Sequence, residues 1–310
     1  MTCKVAKSFS PAGISSFFEI CDKTIDGKPI KNLEKVGARG GGFGLKKGIL
    51  TKISAVEKEK SSISILINGK LTIDADTTKT VVDAFLAKTN KKYKIIVEHE
   101  VEIPIGAGFG TSAGGALTTG LALSKILDLN FTYNQIGKIA HKAEIECKTG
   151  LGTVGPLMVG GCALTIEPGA PGISLIDRIP LTEEHVIVSG VFKPIPTKQV
   201  LNSKKKRQLV NLWGKITLKQ ILSKPSAENF MKYSLKFAEK TGFITPAGKK
   251  IVRYAKKAGA IGTAQNMVGE AMHTLTYREN IKRIVEVYQK VLPTEKIFVS
   301  KIDFQGARLV

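Results

Sequence analysis

Cysteine is scarce in this chain. Only Cys3, Cys21, Cys147 and Cys162 occur among 310 residues, and no two form a C-x-x-C pair. That argues against a disulfide framework or a cysteine-ligated metal and leaves reduced, buried thiols as the expectation. Aromatic residues make up 6% of the chain, with a single tryptophan, and no RNA- or DNA-binding motif is present. Long apolar runs are also missing. The longest, Gly155–Ile166, is too short to cross a bilayer, and no apolar signal segment opens the chain. The expectation is a cytoplasmic protein with no membrane partner.

Acidic residues are in short supply as well. Asp plus Glu number 26 against 47 Lys plus Arg, a net charge of +21. Such an excess raises the local concentration of anions. Nucleic acid is one class of anion that fits. Polyanionic small molecules such as ATP and phosphorylated acids are the other, and the shortage of aromatics favours them. The Lys204–Arg207 run (K-K-K-R) reads most simply as a solvated helix face or loop. Hydrophobic content of 43% is ordinary for a globular protein, and 310 residues make one large or two ordinary domains with a full core.

Glycine, by contrast, is concentrated where it carries information. Pro104–Ala113 reads P-I-G-A-G-F-G-T-S-A, with glycines alternating at 106, 108 and 110. The Ile- and Val-rich Tyr93–Ile103 before it reads as a strand, and the apolar run after it reads as a helix. The glycines therefore lie in a strand-to-helix turn, with Thr111 or Ser112 expected as the N-cap. Glycines let backbone approach a ligand, and a helix start offers unpaired N–H groups and partial positive charge; together these suit a phosphate. A G-x-x-x-x-G-K-[ST] loop is ruled out because no lysine precedes Thr111. Gly108, Gly110 and Ala113 formally meet a dinucleotide fingerprint, with Asp128 at the acidic spacing, but the intervening segment reads as helix rather than as a second strand. An unliganded glycine turn is the bland alternative.

Elsewhere the coarse pattern is mixed. Residues 3–9 and 15–21 read as short strands around a turn at Ser10–Gly13, and residues 36–44 read as a glycine loop. Strands are expected over 45–55, 62–67 and 70–73, with Asn68–Gly69 as a hairpin turn. Thr78–Thr89 reads as helix, and Thr132-x-x-Gln135 as a capping box before a helix that carries Ile136, Ile139, Ala140, Ala143 and Cys147 on one face. Strands follow near 158–166 and 186–193, then helices near 197–213, 217–223, 226–241, 245–258 and 279–291, and a closing strand over Lys296–Phe304.

The glycine turn resembles the ATP loop of the GHMP kinases, P-x-G-x-G-[LF]-G-[ST]-S-A, at every key position. Gly262–Ala271 (G-T-A-Q-N-M-V-G-E-A) resembles that family's C-terminal glycine turn. Within the superfamily the likeness is nearest to archaeal pantoate kinases and runs over almost the whole chain. It includes P-A-G-I-S-S-F-F-E-I at 11–20, G-A-R-G-G-G at 37–42, A-H-K-A-E at 140–144, T-G-L-G at 149–152 and G-G-C-A-L-T-I-E-P-G-A-P-G at 160–172. The resemblance implies a two-lobed α+β fold. An N-terminal lobe over 1–170 would be like ribosomal protein S5 domain 2, and a C-terminal lobe over 171–310 would be ferredoxin-like with extra helices. The acceptor would lie between them.

The resemblance also implies roles. Pro104, Gly106, Ala107, Gly108, Gly110, Thr111 and Ser112 would bind ATP. Ser112 and Glu144 would hold Mg²⁺ and, with Thr153, form the catalytic group. Ser15, Glu19, Arg39, Gly152, Thr153 and Thr165 would face the acceptor. The bland reading of Glu144 is an exposed helix residue paired with Lys148; Arg39 reads equally as a surface ion pair, and Ser15 and Glu19 equally as strand packing. A solvated Lys7, a core-edge His141 and a packing Trp213 are expected.

Three positions depart from the pantoate kinase pattern: Thr153 stands for an aspartate, Thr165 for an arginine and Gly13 for a histidine. All fall in the acceptor half, while the ATP half is intact. The expectation is a small-acid kinase of altered acceptor specificity, with mevalonate 3-phosphate, phosphorylated at its 5-hydroxyl to the 3,5-bisphosphate, as leading acceptor and pantoate as the alternative. The expected partner is a small anionic substrate; a homodimer is compatible, and nucleic acid belongs to a rival class of reading.

Overall fold

The computed structural model describes residues 2–193 and 204–310. Among these, two sheets carry the fold. The first is built on β1 (Lys4–Cys21) and β2 (Gly37–Glu57), two long antiparallel strands. Beside β2 lies β5 (Tyr93–Val101), which pairs in parallel with β3 (Ser62–Ile67); β3 turns into β4 (Lys70–Leu71). The other end of β2 pairs with β6 (Cys162–Glu167), and β6 with β7 (Leu175–Ile179). The last strand of the chain, β12 (Arg308–Leu309), closes on β1, so the sheet draws on residues well past 170.

The second sheet is fully antiparallel, in the order β11 (Ile297–Lys301), β8 (His185–Lys193), β10 (Glu270–Tyr277), β9 (Gly262–Gln265). The segment expected to be a bare glycine turn at 262–271 is thus a hairpin, with only 266–269 as its turn.

Four helices accompany the first sheet: α1 (Asp76–Leu86), α2 (Thr111–Ile126), α3 (Tyr133–Glu146) and the short α4 (Val154–Val159). Helix α2 is apolar on nearly every side and is the central one. Its glycines allow close approach: a Cβ on Gly114 would lie 2.6 Å from Ile49 Cδ1. The capping box opens α3 as expected, with Thr132 N donating to Gln135 Oε1 and Gln135 N to Thr132 Oγ1. Four more helices, α5 (Lys204–Ser223), α6 (Ala227–Lys240), α7 (Pro246–Lys257) and α8 (Ile281–Gln289), pack about the second sheet and the open end of β1. Phe17 and Phe43 meet Phe230 of α6 edge-on at 5.9 and 5.1 Å, so one apolar core runs between the sheets. No helix of the described residues is long and apolar enough to cross a membrane.

Several sequence expectations need correction. The two short strands around Ser10–Gly13 are one strand, and the apparent turn is a pair of bulges, after Pro11 and after Ser15. A bulge leaves a residue out of the ladder, which is where a proline is tolerated. The glycine loop at 36–44 is also strand. Its glycines are there for contact: a Cβ on Gly42 would fall 1.6 Å from Ile14 O, and one on Gly41 2.8 Å from Phe230. The N-cap of α2 is Gly110, in left-handed conformation, rather than Thr111 or Ser112. The strand expected from 158 begins at Cys162, after α4. The helices expected at 197–213 and 217–223 are one helix from Lys204, and residues 197–203 lie outside the described residues.

Candidate active site

The turn between β5 and α2 owes its form to alternation. Gly106, Gly108 and Gly110 have φ of 77°, 81° and 61°, in the left-handed region that side chains disfavour. The residues between them, Ala107 and Phe109, are fully buried. Phe109 packs edge-on to Phe298 at 5.2 Å. Side chains therefore pin the turn from beneath, while glycine backbone faces a cavity of about 590 Å³. Left-handed residues alternating with ordinary ones bring successive N–H groups into a concave anion nest. Two contacts fix the turn in place. Gly13 N of β1 donates to Phe109 O at 2.9 Å. From the second sheet, the turn at Gly269 backs it so closely that a Cβ there would lie 2.9 Å from Ala107 O. Thr111 and Ser112 line the cavity; Pro104 is exposed and Ala107 is buried, and neither lines it.

Glu144 lies beside this turn. It is 3% exposed, which sets aside the reading of a solvated helix residue paired with Lys148. Thr149 Oγ1 donates to its Oε1 at 2.6 Å and is itself bonded to Thr77 Oγ1 at 3.0 Å. Burial raises the Glu144 pKa, and hydrogen bonds from Ser112 and Thr149 oppose the rise. Its partners are hydroxyls, with no basic side chain among them. Gly150 has no room for a Cβ, which would meet Glu144 Oε2 at 2.1 Å. A buried carboxyl held by neutral donors beside an anion nest has the chemistry of a cation ligand.

The remaining predicted residues divide. Ser15, Arg39, Gly152, Thr153 and Thr165 all line the same cavity as the glycine turn. Glu19 stands behind Arg39: its Oε2 is buried, accepts no hydrogen bond and lies 3.6 Å from Arg39 Nη1. Arg39 is fully engaged, donating from Nε to Ile166 O at 3.0 Å and from Nη2 to Glu167 at 2.9 Å. Thr153 leads into α4 without capping it, and its methyl packs between two glycines. A Cβ on Gly110 would meet Thr153 Cγ2 at 2.8 Å, and one on Gly13 at 3.4 Å. Two of the three departures from the family pattern, positions 13 and 153, are therefore in contact. The third, Thr165, sits opposite Gly40 in the β2–β6 pairing.

Sequence reasoning missed several residues here. Thr149, which holds Glu144, lay within the quoted T-G-L-G stretch but carried no role. Met267 and Val268 line the cavity from the second sheet. Ser15 O accepts from Met267 N at 2.7 Å. Asp22 and Arg207 line it from the open end, joined by 2.8 and 2.6 Å hydrogen bonds from Arg207 Nη2. The basic run was thus misread at Arg207, and also at Lys206, which reaches Thr241 O and the Phe243 ring. Only Lys204 and Lys205 are exposed. Lys7 is exposed on β1 opposite Lys52, and His141 is buried with its Nε2 2.9 Å from Val36 O.

Comparison with known proteins bears directly on this site. Residues 76–161, which contain the glycine turn and Glu144, match the model of the GHMP kinases N-terminal domain. Over 89% of both chains, the protein is 30% identical to a pantoate kinase of Thermococcus kodakarensis. It is 28% identical to the pantoate kinase of Methanocaldococcus jannaschii, over 90% of this chain and 96% of that one. A solved structure described as a phosphotransferase related to the CoA biosynthesis pathway superposes over 99% of both chains with a TM-score of 0.86 and 26% identity. With the fold, the turn and these full-length likenesses in agreement, the chain belongs to the GHMP kinase family, phosphotransferases that act on a hydroxyl acceptor.

Proposed function

We propose that the protein transfers the terminal phosphoryl group of ATP to the primary hydroxyl of a short branched hydroxy acid. The observation that carries this reading is that the left-handed glycine turn, Ser112 and the acceptor residues Ser15, Arg39, Gly152, Thr153 and Thr165 open on one cavity, with the buried Glu144 held behind its lining by Ser112 and Thr149. The amides of the turn would hold the triphosphate, and Ser112 and Glu144 would hold Mg²⁺. The described residues contain no cluster of three or more His, Cys, Asp or Glu fit for a metal. That suits magnesium, which takes one or two protein ligands and completes its shell with phosphate oxygens and water. When bound, the ion would neutralise charge on the β- and γ-phosphates. The protein's part is then to position the acceptor and to keep water out. Thr153 can orient the hydroxyl by hydrogen bonding but cannot take its proton as a carboxylate does. A loose phosphoryl-transfer transition state makes little demand for early deprotonation, so this substitution is compatible with catalysis.

Pantoate is the acceptor best supported, because the full-length relatives are pantoate kinases. A second reading, mevalonate 3-phosphate, the leading acceptor on sequence alone, is favoured by one observation. Positions 13 and 153 are neighbours at the acceptor side of the glycine turn, so their joint departure alters one wall of the acceptor site. ADP release by the pure protein with ATP, Mg²⁺ and each acid separates the two. Faster release with pantoate supports the first reading and faster release with mevalonate 3-phosphate the second. Nucleotide binding with no ADP release for any hydroxy acid would overturn both.

A further inference from the structure

A fully buried histidine lies in the apolar core between the two sheets. His273 of β10 stands edge-on to Phe43, with ring centroids 5.8 Å apart. Burial pushes its pKa down to about 3, so the ring is neutral, with one nitrogen to donate and one to accept. Both nitrogens are used. Nδ1 lies 2.8 Å from Asn266 Oδ1, and Nε2 lies 3.0 Å from Ser16 Oγ. The amide oxygen can only accept, so the proton sits on Nδ1 and Ser16 Oγ donates to Nε2.

Each end of this line adjoins the candidate active site. Ser16 follows Ser15, and Asn266 precedes Met267. Ser15 and Met267 both line the cavity and are joined by the 2.7 Å bond from Met267 N to Ser15 O. The Ser16–His273–Asn266 line is thus a second rung beside that bond, running from strand β1 to the 266–269 turn. That turn supports the glycine turn directly. A Cβ on Gly108 would lie 3.5 Å from Asn266 Cβ and 3.6 Å from Met267 O, and one on Gly269 would lie 3.4 Å from Gly108 N. Pairing at Asn266 is incomplete, since its Nδ2 is buried with no hydrogen-bond partner among the described residues. Its side chain is therefore oriented by His273 rather than by the turn that contains it. A buried histidine needs only some partner for each nitrogen. Here the two partners stand on either side of the support beneath the glycine turn.

We propose that His273 is a positioning residue for the nucleotide: it ties Asn266 to Ser16 and so sets the height at which the 266–269 turn holds the glycine turn. The inference rests on the reading of the glycine turn as the triphosphate site and adds to it a residue outside the cavity lining.

The test uses Ser16→Ala, which removes one hydroxyl, and His273→Asn, whose amide nitrogen takes the place of Nδ1 and keeps the bond to Asn266 while losing Ser16. Without ligand, hydrogen exchange is read at the amides of Met267 and Gly269, which are bonded to Ser15 O and Asn266 O. In Ser16→Ala both should exchange about 3- to 10-fold faster, with the β1–β2 ladder unchanged. Calorimetric titration with Mg-ATP should show affinity lowered about 3- to 10-fold in each single variant. The double variant should bind within about twofold of His273→Asn alone, because the line is already cut. A merely structural role would lower the melting temperature of Ser16→Ala and leave its Mg-ATP affinity within about twofold of the wild type. That result overturns the proposal, as do fully additive losses in the double variant. Should His273→Asn fail to fold, Ser16→Ala alone decides. A wild type that binds no nucleotide sinks the triphosphate reading, and the exchange measurement then judges the tie by itself. Faster exchange at Met267 and Gly269 supports it as the support of the glycine turn, and unchanged rates overturn it.

Discussion

On the function proposed above, the nucleotide half of the cavity is made of backbone, and the acceptor half is made of paired side chains. On the first side, three glycines at φ between 61° and 81° fix the turn, and its intervening side chains are spent on the core. On the second, Arg39, Glu19, Glu167, Asp22 and Arg207 hold one another in ion pairs. A backbone site has few solutions, because almost any side chain at those φ values is strained. A side-chain site can be rewired one residue at a time. Departures from the family pattern at positions 13, 153 and 165, beside an intact glycine turn, are what this difference produces.

Glu144 lies behind Ser112 and Thr149 of the cavity lining, and changing it should have the largest effect. Glu144→Gln is expected to lower kcat by roughly 10³-fold, on the scale of losing a preorganised charge at a reacting centre. Its effect on stability without nucleotide should run the other way. Burial raises the Glu144 pKa in the folded state, so ionisation opposes folding. Below the ordinary value of 4.5 the carboxyl is protonated folded or unfolded, and no penalty exists. As pH rises past the raised folded value, the full penalty is present. Near neutral pH, Glu144→Gln should therefore melt higher than the wild type, and the gap should close in acid. A wild type that melts as high as the variant at neutral pH would contradict the assignment of Glu144 as a buried acid held by hydroxyls without a basic partner.

An intermediate effect is expected in the nucleotide half. Gly108 has room for a methyl, since a Cβ would lie 3.5 Å from Asn266 Cβ, but its φ is 81°. Gly108→Ala tests conformation rather than space. A cost of about 1–2 kcal/mol should show as a nucleotide KM raised roughly tenfold, with the acid KM unchanged. An acid KM that rises in step would show that the halves are not separable. The smallest effect belongs to Thr153→Asp, which should change kcat less than about fivefold if no carboxylate base is needed. An inert wild type made active by this change would refute that account.

How much of this could be read from the chain alone follows the same division. The glycine turn, the Asn68–Gly69 hairpin with φ of 49° and 76°, and the capping box at Thr132 were legible because each is a local solution to a backbone problem. Strand β1 was misjudged because Ser10-Pro-Ala-Gly13 has turn chemistry, yet the long pairing with β2 absorbs it as a bulge. The glycines at 40–42 looked like flexibility and are in fact imposed by contact with Ile14, Phe17 and Phe230. Glu144 offered no local sign of burial; Thr77, Thr149 and Gly150 create it. Arg207 was least legible of all, since Asp22 lies 185 positions away and nothing in K-K-K-R distinguishes its last member.

Strand β1 and the residue that follows it make contact in turn with Phe109 at Gly13, Met267 at Ser15, His273 at Ser16, Asn211 at Ile20 and Arg207 at Asp22. Two ligands seated along one rod cannot be thermodynamically indifferent to each other if either shifts it. Whatever factor the acid lends to nucleotide affinity, the nucleotide must return to the acid, and calorimetric titrations in both orders would measure that shared factor.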